Sequence, residues 1–203
     1  PGDAETLDEI ASRLKAAKRP LLWVGNGAKF AGTSVARLVD LGIPVITSWN
    51  GRGVLPEDHP MSLASTATTT EVGEFLKTVD LMIVAGGRLR GHETADMGMP
   101  LPDNMIQIDV DPAANGRTYA SMVFHCAEAG AALSAIADRL TASGGLSLDP
   151  ALSADVAAAK ADAYENYPKA FGPYASFPTQ MRSAMPRDAV FVRGWVCSPC
   201  LRP

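Results

Sequence analysis

The chain has 203 residues, of which 47% are hydrophobic and 20% are charged, and its formal net charge is −4. This length and composition allow a full hydrophobic core and fit one domain with part of a second. Its lysines and arginines are scattered rather than clustered, so the sequence lacks the basic face that nucleic-acid binding requires, and we predict no nucleic-acid partner.

The sequence also predicts no membrane-spanning segment and no signal peptide. No apolar stretch approaches the roughly 20 residues that cross a bilayer, and the opening PGDAETLDE has neither the charged region nor the apolar region of a signal peptide. Cys126 stands alone, and Cys197 with Cys200 makes only one C-x-x-C pair, whereas a zinc site needs four ligands. We therefore expect a cytoplasmic protein with no membrane partner and no metal site in this chain.

Helical and strand patterns alternate along the first 140 residues. Apolar residues at helical spacing predict four helices, around Leu7–Leu14, Val35–Val39, Val72–Val79 and Leu133–Leu140. Short apolar or β-branched runs predict strands at Leu21–Val24, Val45–Thr47, Leu81–Ala85, Met105–Val110 and Met122–Phe124. Because parallel neighbours need crossovers, this order predicts an α/β fold with an open, Rossmann-like, mostly parallel sheet flanked by helices.

The composition changes after this region. Thr141–Pro150 is rich in Gly, Ser and Pro, and an Ala-rich helical piece follows at Asp155–Tyr164. A short helix near Met181 and a strand at Ala189–Val192 then suggest an α/β unit that the chain does not complete. We predict a central α/β domain over residues 1–140, a linker with a helical piece over 141–176, and a truncated further domain over 177–203.

Function on such a scaffold is expected at the carboxyl ends of the strands. The longest loop there, Ser48–Pro60, combines glycine, proline and charge, while glycine turns follow two other strands. Glycine turns can present N–H groups to phosphate, and an arginine can add a bidentate contact. The candidate nucleotide-binding residues are Gly25, Gly27, Gly86, Arg88, Asp109 and Asp111. The alternative is that these glycines only make tight strand-to-helix turns.

The crevice expected at the carboxyl ends of the strands differs from that of a nicotinamide dehydrogenase. Phe30 stands where the G-x-G-x-x-G pattern needs its third glycine, and the second strand ends in Thr47-Ser48 instead of an acid for the ribose. His59 lies between Asp58 and Pro60, where a loop-ordering hydrogen bond is expected. Met97 and Met99 are candidates for an apolar flap over the crevice, or for loop packing.

Four segments together carry a family resemblance. They are RPLLWVGNGA (19–28), IPVITSWNGRGVLPEDHP (43–60), DLMIVAGGRL (80–89) and MIQIDVDPA (105–113). In this order and spacing they resemble the central domain of thiamine-diphosphate-dependent enzymes, the group of acetolactate synthase, benzoylformate decarboxylase, pyruvate oxidase and oxalyl-CoA decarboxylase. FPTQMRSAMPRDAVFVR (177–193) resembles the opening of that family's third domain.

The resemblance implies a parent enzyme that acts on a 2-keto acid with thiamine diphosphate and Mg²⁺. In such enzymes a glutamate of the first domain activates the cofactor, and a GDG…N motif of the third domain holds magnesium and the diphosphate. This chain contains neither and leaves the family pattern at Gly194, where GWVCSPCLRP reads as an atypical tail. We expect the fragment alone to be inactive and the parent to be a homodimer or homotetramer.

The family also implies a second ligand, which differs among its members. The central domain binds FAD in acetolactate synthases, ADP in oxalyl-CoA decarboxylase, and nothing in some decarboxylases. Here LASTATTTE (63–71) lacks glycines found in that FAD loop, and Ala127-Glu128 replaces an expected Gly-Asp. FAD, ADP and no ligand remain three alternatives for the crevice. A second class of function is also an alternative, namely a stand-alone nucleotide-binding or regulatory module without catalysis.

Overall fold

The computed structural model describes residues 2–189, which form two compact units, one ending at Glu165 and the next beginning at Asn166. The strand predicted at 189–192 runs past this range. The tail from Gly194, with Cys197 and Cys200, lies outside the described residues. In the described part, no helix is long and apolar enough to span a membrane.

The first unit is built on one five-stranded sheet. Its strands are Pro20–Val24 (β1), Val45–Thr47 (β2), Leu81–Ala85 (β3), Met105–Asp109 (β4) and Val123–Cys126 (β5). They lie in the order β2-β1-β3-β4-β5, and every pair is parallel. The predicted open parallel sheet is therefore confirmed. The strand order reverses between β1 and β3, which puts the topological switch point of this fold at their carboxyl ends.

Helices cover both faces of the sheet. They are Ala4–Ala16 (α1), Gly32–Asp40 (α2), Thr70–Leu76 (α3), Ala129–Ala142 (α4) and Leu152–Asn166 (α5). The four helical faces predicted before residue 140 are buried as expected. Successive strand residues point to opposite faces, so Leu22 and Val24 join α1, α2 and α4 in one core cluster. Leu21 and Trp23 join α3 and α5 in the other.

Helix α5 lies in the segment that the sequence suggests is a linker. Its residues Leu152, Val156, Ala159 and Ala163 are buried in the second core cluster. This helix is therefore part of the first unit's core, although it follows the Gly- and Ser-rich segment. The domain boundaries at residues 140 and 176 stay predictions.

A charged cluster attaches the first turn of α5 and the residues before it to Arg19, which precedes β1. The Arg19 guanidinium contacts the carboxylates of Asp149 (2.6 Å) and Asp155 (2.7 Å), and its side chain is 14% exposed. Asp80 accepts hydrogen bonds from the backbone N–H groups of Lys18 and Arg19. These contacts tie residues 149–155 to the amino-terminal edge of the sheet.

This cluster should make stability depend on pH. The pKa of Asp149 is lowered by the backbone N–H of Ala151 and by Arg19. A depressed carboxyl pKa contributes stability that is present above the unfolded value of about 3.9 and is lost as the pH falls through the folded pKa. We expect Asp149→Asn to make the melting temperature fall less between about pH 5 and pH 3 than in the wild type. Asp40→Asn, at an exposed aspartate of α2, should leave that fall unchanged, and equal falls in both variants would contradict this assignment.

The second unit is described only in part. It contains a 3-10 segment, Tyr167–Tyr174, broken where Gly172 takes a positive φ of 54°. The last helix, Phe177–Ala184 (α6), covers the short helix predicted near Met181. Pro178 lies in its first turn, where a missing N–H costs no helical hydrogen bond.

Candidate functional site

Four loops meet at the carboxyl edge of the sheet, which we define as residues 25–31, 48–60, 86–99 and 110–119. They follow β1, β2, β3 and β4, so the parallel topology itself brings them to one side. Five of the six predicted nucleotide-binding residues lie in these loops, and Asp109 is the last residue of β4, next to them. Gly25, Gly27 and Gly86 are in direct contact, whereas Asp111 lies further along, beyond the end of β4.

The three edge glycines pack on one another. A Cβ atom at position 25 would lie 2.3 Å from the Gly86 carbonyl oxygen, and one at position 27 would lie 2.9 Å from the Gly86 Cα. Gly86 has a positive φ of 58°, and its own Cβ would lie 2.6 Å from backbone atoms of Gly27 and Ala28. The turns after β1 and β3 thus cross so closely that only glycine fits at these positions.

The backbone N–H groups of these turns are already used. Gly25 donates to Ala85 (2.9 Å), Gly27 to Gly86 (2.9 Å) and Gly86 to Ile108 (2.8 Å). A phosphate at this point would therefore find none of these three donors free. The glycines explain the shape of the switch point, and hydrogen bonds to a ligand must come from other groups.

The two aspartates after β4 shape their own loop. Asp109 accepts from the backbone N–H of Asp111 (2.9 Å). Asp111 accepts from the N–H of Ala113 (3.0 Å) and pairs with Arg117 (3.1 Å). Each carboxylate has a local structural partner, so the pair is not arranged for general acid–base catalysis.

Arg88 is the predicted site residue whose side chain is most available. It is exposed, and its guanidinium makes no hydrogen bond or ion pair with residues 2–189. Its carbonyl accepts from the Thr118 hydroxyl (2.9 Å), which joins the loop after β3 to the loop after β4. The next residue, Leu89, is buried at a positive φ of 45°. The backbone at Arg88 is thus fixed while its charged group faces solvent.

A narrow pocket lies between these two loops and β4. Its lining includes Arg88, Gln107, Arg117, Thr118 and Tyr119. Gln107 is 8% exposed, and its amide makes no hydrogen bond within the described residues. The buried Tyr119 hydroxyl also lacks a partner there. Sequence reasoning missed both, although a lone glutamine in the strand MIQID was a usable signal.

Large apolar side chains are exposed along the same edge. Trp49 is 55% exposed, and its ring centroid lies 5.8 Å from that of His92, which bridges the loops after β2 and β3. Phe30, Met97 and Val110 are also exposed in edge loops. Of the two methionines that were candidates for a flap or for loop packing, Met99 is buried in the second core cluster, as loop packing requires, and Met97 is exposed. These exposed apolar side chains make the edge loops a candidate interaction surface.

The loop-ordering role predicted for His59 is confirmed. Its Nδ1 atom accepts a hydrogen bond from the backbone N–H of Met61 (3.1 Å). The neighbouring carbonyl of His59 accepts from the N–H of Ser62 (3.0 Å). Both bonds stabilise the end of the loop after β2.

The fold and the edge define a class of protein. A parallel sheet covered on both faces, with glycine turns at a topological switch point, is a Rossmann-like α/β domain. The sequence model of the family described as "thiamine pyrophosphate enzyme, central domain" matches residues 7–136. The chain belongs to this family.

Similar proteins agree with this assignment. A protein of Pseudomonas aeruginosa named as a 2-ketoarginine decarboxylase is 33% identical over 138 residues, which are 68% of this chain and 25% of that protein. Acetolactate synthase 1 of Zea mays is 30% identical over 66% of this chain and 22% of its own length. The chain therefore spans about a quarter of the length of these relatives.

A solved structure gives the same result. An X-ray structure described as a thiamin diphosphate-dependent enzyme of Mycobacterium smegmatis superposes with a TM-score of 0.56 at 26% identity. The superposition covers 68% of this chain and 28% of that one.

Proposed function

We propose that this chain supplies the central domain of a thiamine-diphosphate-dependent enzyme that acts on a 2-keto acid, as a decarboxylase or an acetolactate synthase-like carboligase. The observation that carries the proposal is the family match over residues 7–136, which lies within the first compact unit. The relatives named as a 2-ketoarginine decarboxylase and an acetolactate synthase support the substrate class.

In this proposal the chain provides a scaffold, and the reactive cofactor is held elsewhere. Thiamine diphosphate, when bound to the parent, would supply carbanion stabilisation for breaking or forming the bond next to a keto group. Among residues 2–189, no three His, Cys, Asp or Glu side chains are grouped to hold a metal ion. The donors in this part do not fit Mg²⁺, so we place thiamine diphosphate and Mg²⁺ outside the described residues.

Calorimetry separates the chain from its parent. Titrating thiamine diphosphate with Mg²⁺ into residues 1–203 should give no binding heat, whereas the intact enzyme that carries this sequence should bind the cofactor. Binding by the isolated chain would contradict the proposed division of roles.

A second proposal concerns a nucleotide, FAD or ADP, at the carboxyl edge. The glycine turns do not fit as a phosphate cradle, because their N–H groups are used. Side chains fit better, since Arg88 carries an available positive charge and Gln107 has an unused amide beside it. We propose that the nucleotide is held mainly through these side chains, near Gly25, Gly27, Gly86, Asp109 and Asp111.

Removing the arginine tests this site. Arg88→Ala should weaken FAD or ADP binding by about tenfold or more, since a charge-assisted contact is worth about 1.5–3 kcal/mol. Arg13→Ala, at a surface arginine of α1, should leave the affinity unchanged. Titration calorimetry on the folded chain measures both.

The outcome of that titration also separates the alternatives. FAD binding favours the acetolactate synthases, and ADP binding favours the CoA-linked decarboxylases. Binding of neither ligand would reject the nucleotide proposal and leave a structural central domain. A stand-alone regulatory module is favoured only if nucleotide binds and the intact protein shows no thiamine-diphosphate-dependent reaction.

Self-association is the remaining proposal about partners. Exposed Phe30, Trp49 and Val110 at the carboxyl edge give the parent an apolar surface for contact between subunits. We propose a homodimer or homotetramer in the cytoplasm, and light scattering of the intact protein tests the assembly. A monomer at all concentrations would contradict it.

A further inference from the structure

Lys160 joins α5 to the loop that follows β2. It lies next to the buried Ala159, and its Nζ atom donates hydrogen bonds to the carbonyl oxygens of Glu57 (2.5 Å) and His59 (3.1 Å). The bonded groups are about 100 residues apart in sequence. The contact therefore links a helix of the core to a loop of the carboxyl edge.

The charge of Lys160 is partly compensated at this contact. Burial lowers the pKa of its ammonium, and the carboxylates of Asp58 and Glu57 act in the opposite direction. Glu57 also pairs with Arg52 (3.2 Å). The two carbonyl acceptors offset part of the desolvation cost of this partly buried ammonium, so the contact favours the arrangement in which residues 57 and 59 lie against α5.

The loop is held differently along its length. At its start, the N–H of Ser48 donates to the Val24 carbonyl (2.9 Å), and further along Val54 and Leu55 are buried in the first core cluster. Residues 56–60, which we call the latch segment, have a local turn in which the His59 N–H donates to Pro56 (3.0 Å). Lys160 attaches this segment to α5.

We propose that Lys160 is a positioning residue that latches residues 56–60 against α5 and so controls whether this part of the carboxyl edge is closed. The ammonium charge, rather than the packing of the side-chain methylenes, provides the hold. Loss of the charge opens the latch segment while the sheet stays folded. This inference goes beyond the proposed function, because it holds with or without a nucleotide at the edge.

Hydrogen exchange of the full chain tests the latch. Lys160→Met keeps the methylene length and removes the charge, so amide exchange in peptides covering 56–62 should become at least about tenfold faster. Peptides from α4 should exchange as in the wild type. Lys160→Arg keeps a charged donor and should restore slow exchange, while Lys77→Met, at an exposed lysine of the α3 end, should change nothing.

Two results would overturn the proposal. Unchanged exchange in residues 56–62 of Lys160→Met would show that packing holds the segment. Equal acceleration in α4 and the latch segment would show a general stability role instead of a local latch. Lys160→Gln is a second variant without the charge. Cleavage after Glu57 by a glutamate-specific protease is a second measurement, and we expect faster cleavage only in the variants that lack the charge.

Discussion

Gly25→Ala should lower the free energy of unfolding by about 3 kcal/mol, because it forces a methyl group into rigid backbone. The new Cβ would lie 2.3 Å from the Gly86 carbonyl oxygen and 2.4 Å from the Gly87 Cα. Neither atom belongs to a flexible side chain, so relief requires the β1 and β3 turns to separate. Urea denaturation of the purified variant measures the loss.

Gly73→Ala is the matched control for this change. Gly73 lies within α3, and a Cβ there would meet no atom within 4 Å. Alanine should therefore raise stability by about 0.5–1 kcal/mol through its better helix propensity. A Gly25→Ala variant as stable as the wild type would contradict the close contact between the turns after β1 and β3.

Val156→Asp should destabilise the first unit by about 3 kcal/mol or more, because an unpaired carboxylate would be buried in a core without partners. Val156 is fully buried among apolar residues of the second core cluster. The prediction follows from the position of α5, which packs on the sheet although it follows a Gly- and Ser-rich segment. Thermal and urea unfolding both report it.

The same helix provides the control. Ala158 is exposed two residues further on, so Ala158→Asp should cost less than about 1 kcal/mol, mainly in helix propensity. Similar small effects for both variants would mean that α5 behaves as a loose linker and that the second core cluster ends at α3.

The regular part of the fold could be predicted because burial follows the helical and strand periods. Leu7, Ile10 and Leu14 repeat at helical spacing and are buried in α1. The continuous apolar run of Leu81–Ala85 predicts a strand covered on both faces, and β3 is buried throughout. Alternation of such segments was sufficient to predict a parallel sheet and the edge at which its loops meet.

Contacts between distant residues could not be predicted in this way. The Ala-rich sequence of α5 shows no clear apolar stripe, so its place in the core depends on which surface the sheet leaves uncovered. Sequence also marks Gly25 and Gly86 as turn residues without showing that each fills the space the other would need for a side chain. The Lys160 contact with residues 57 and 59 is likewise a product of the folded arrangement.

The predicted site residues lie at one edge of the sheet, and the structure shows which of their polar groups already have partners. Position follows from topology, because all loops after parallel strands meet on one side. Topology does not show which donors are free, because this depends on hydrogen bonds such as the one from the Gly27 N–H to the Gly86 carbonyl. The proposed nucleotide contacts are therefore Arg88 and Gln107, and Gln107 was not among the predicted residues.

The most direct test of the proposed function is the release of CO₂ from 2-keto acids by the intact enzyme that carries this sequence. The assay compares pyruvate with 2-ketoarginine, with and without thiamine diphosphate and Mg²⁺, and includes residues 1–203 alone. We predict cofactor-dependent turnover of at least one substrate by the intact enzyme and none by the isolated chain. The proposed function would be contradicted if the intact enzyme showed no cofactor-dependent turnover of any 2-keto acid. Turnover by the isolated chain would contradict it as well.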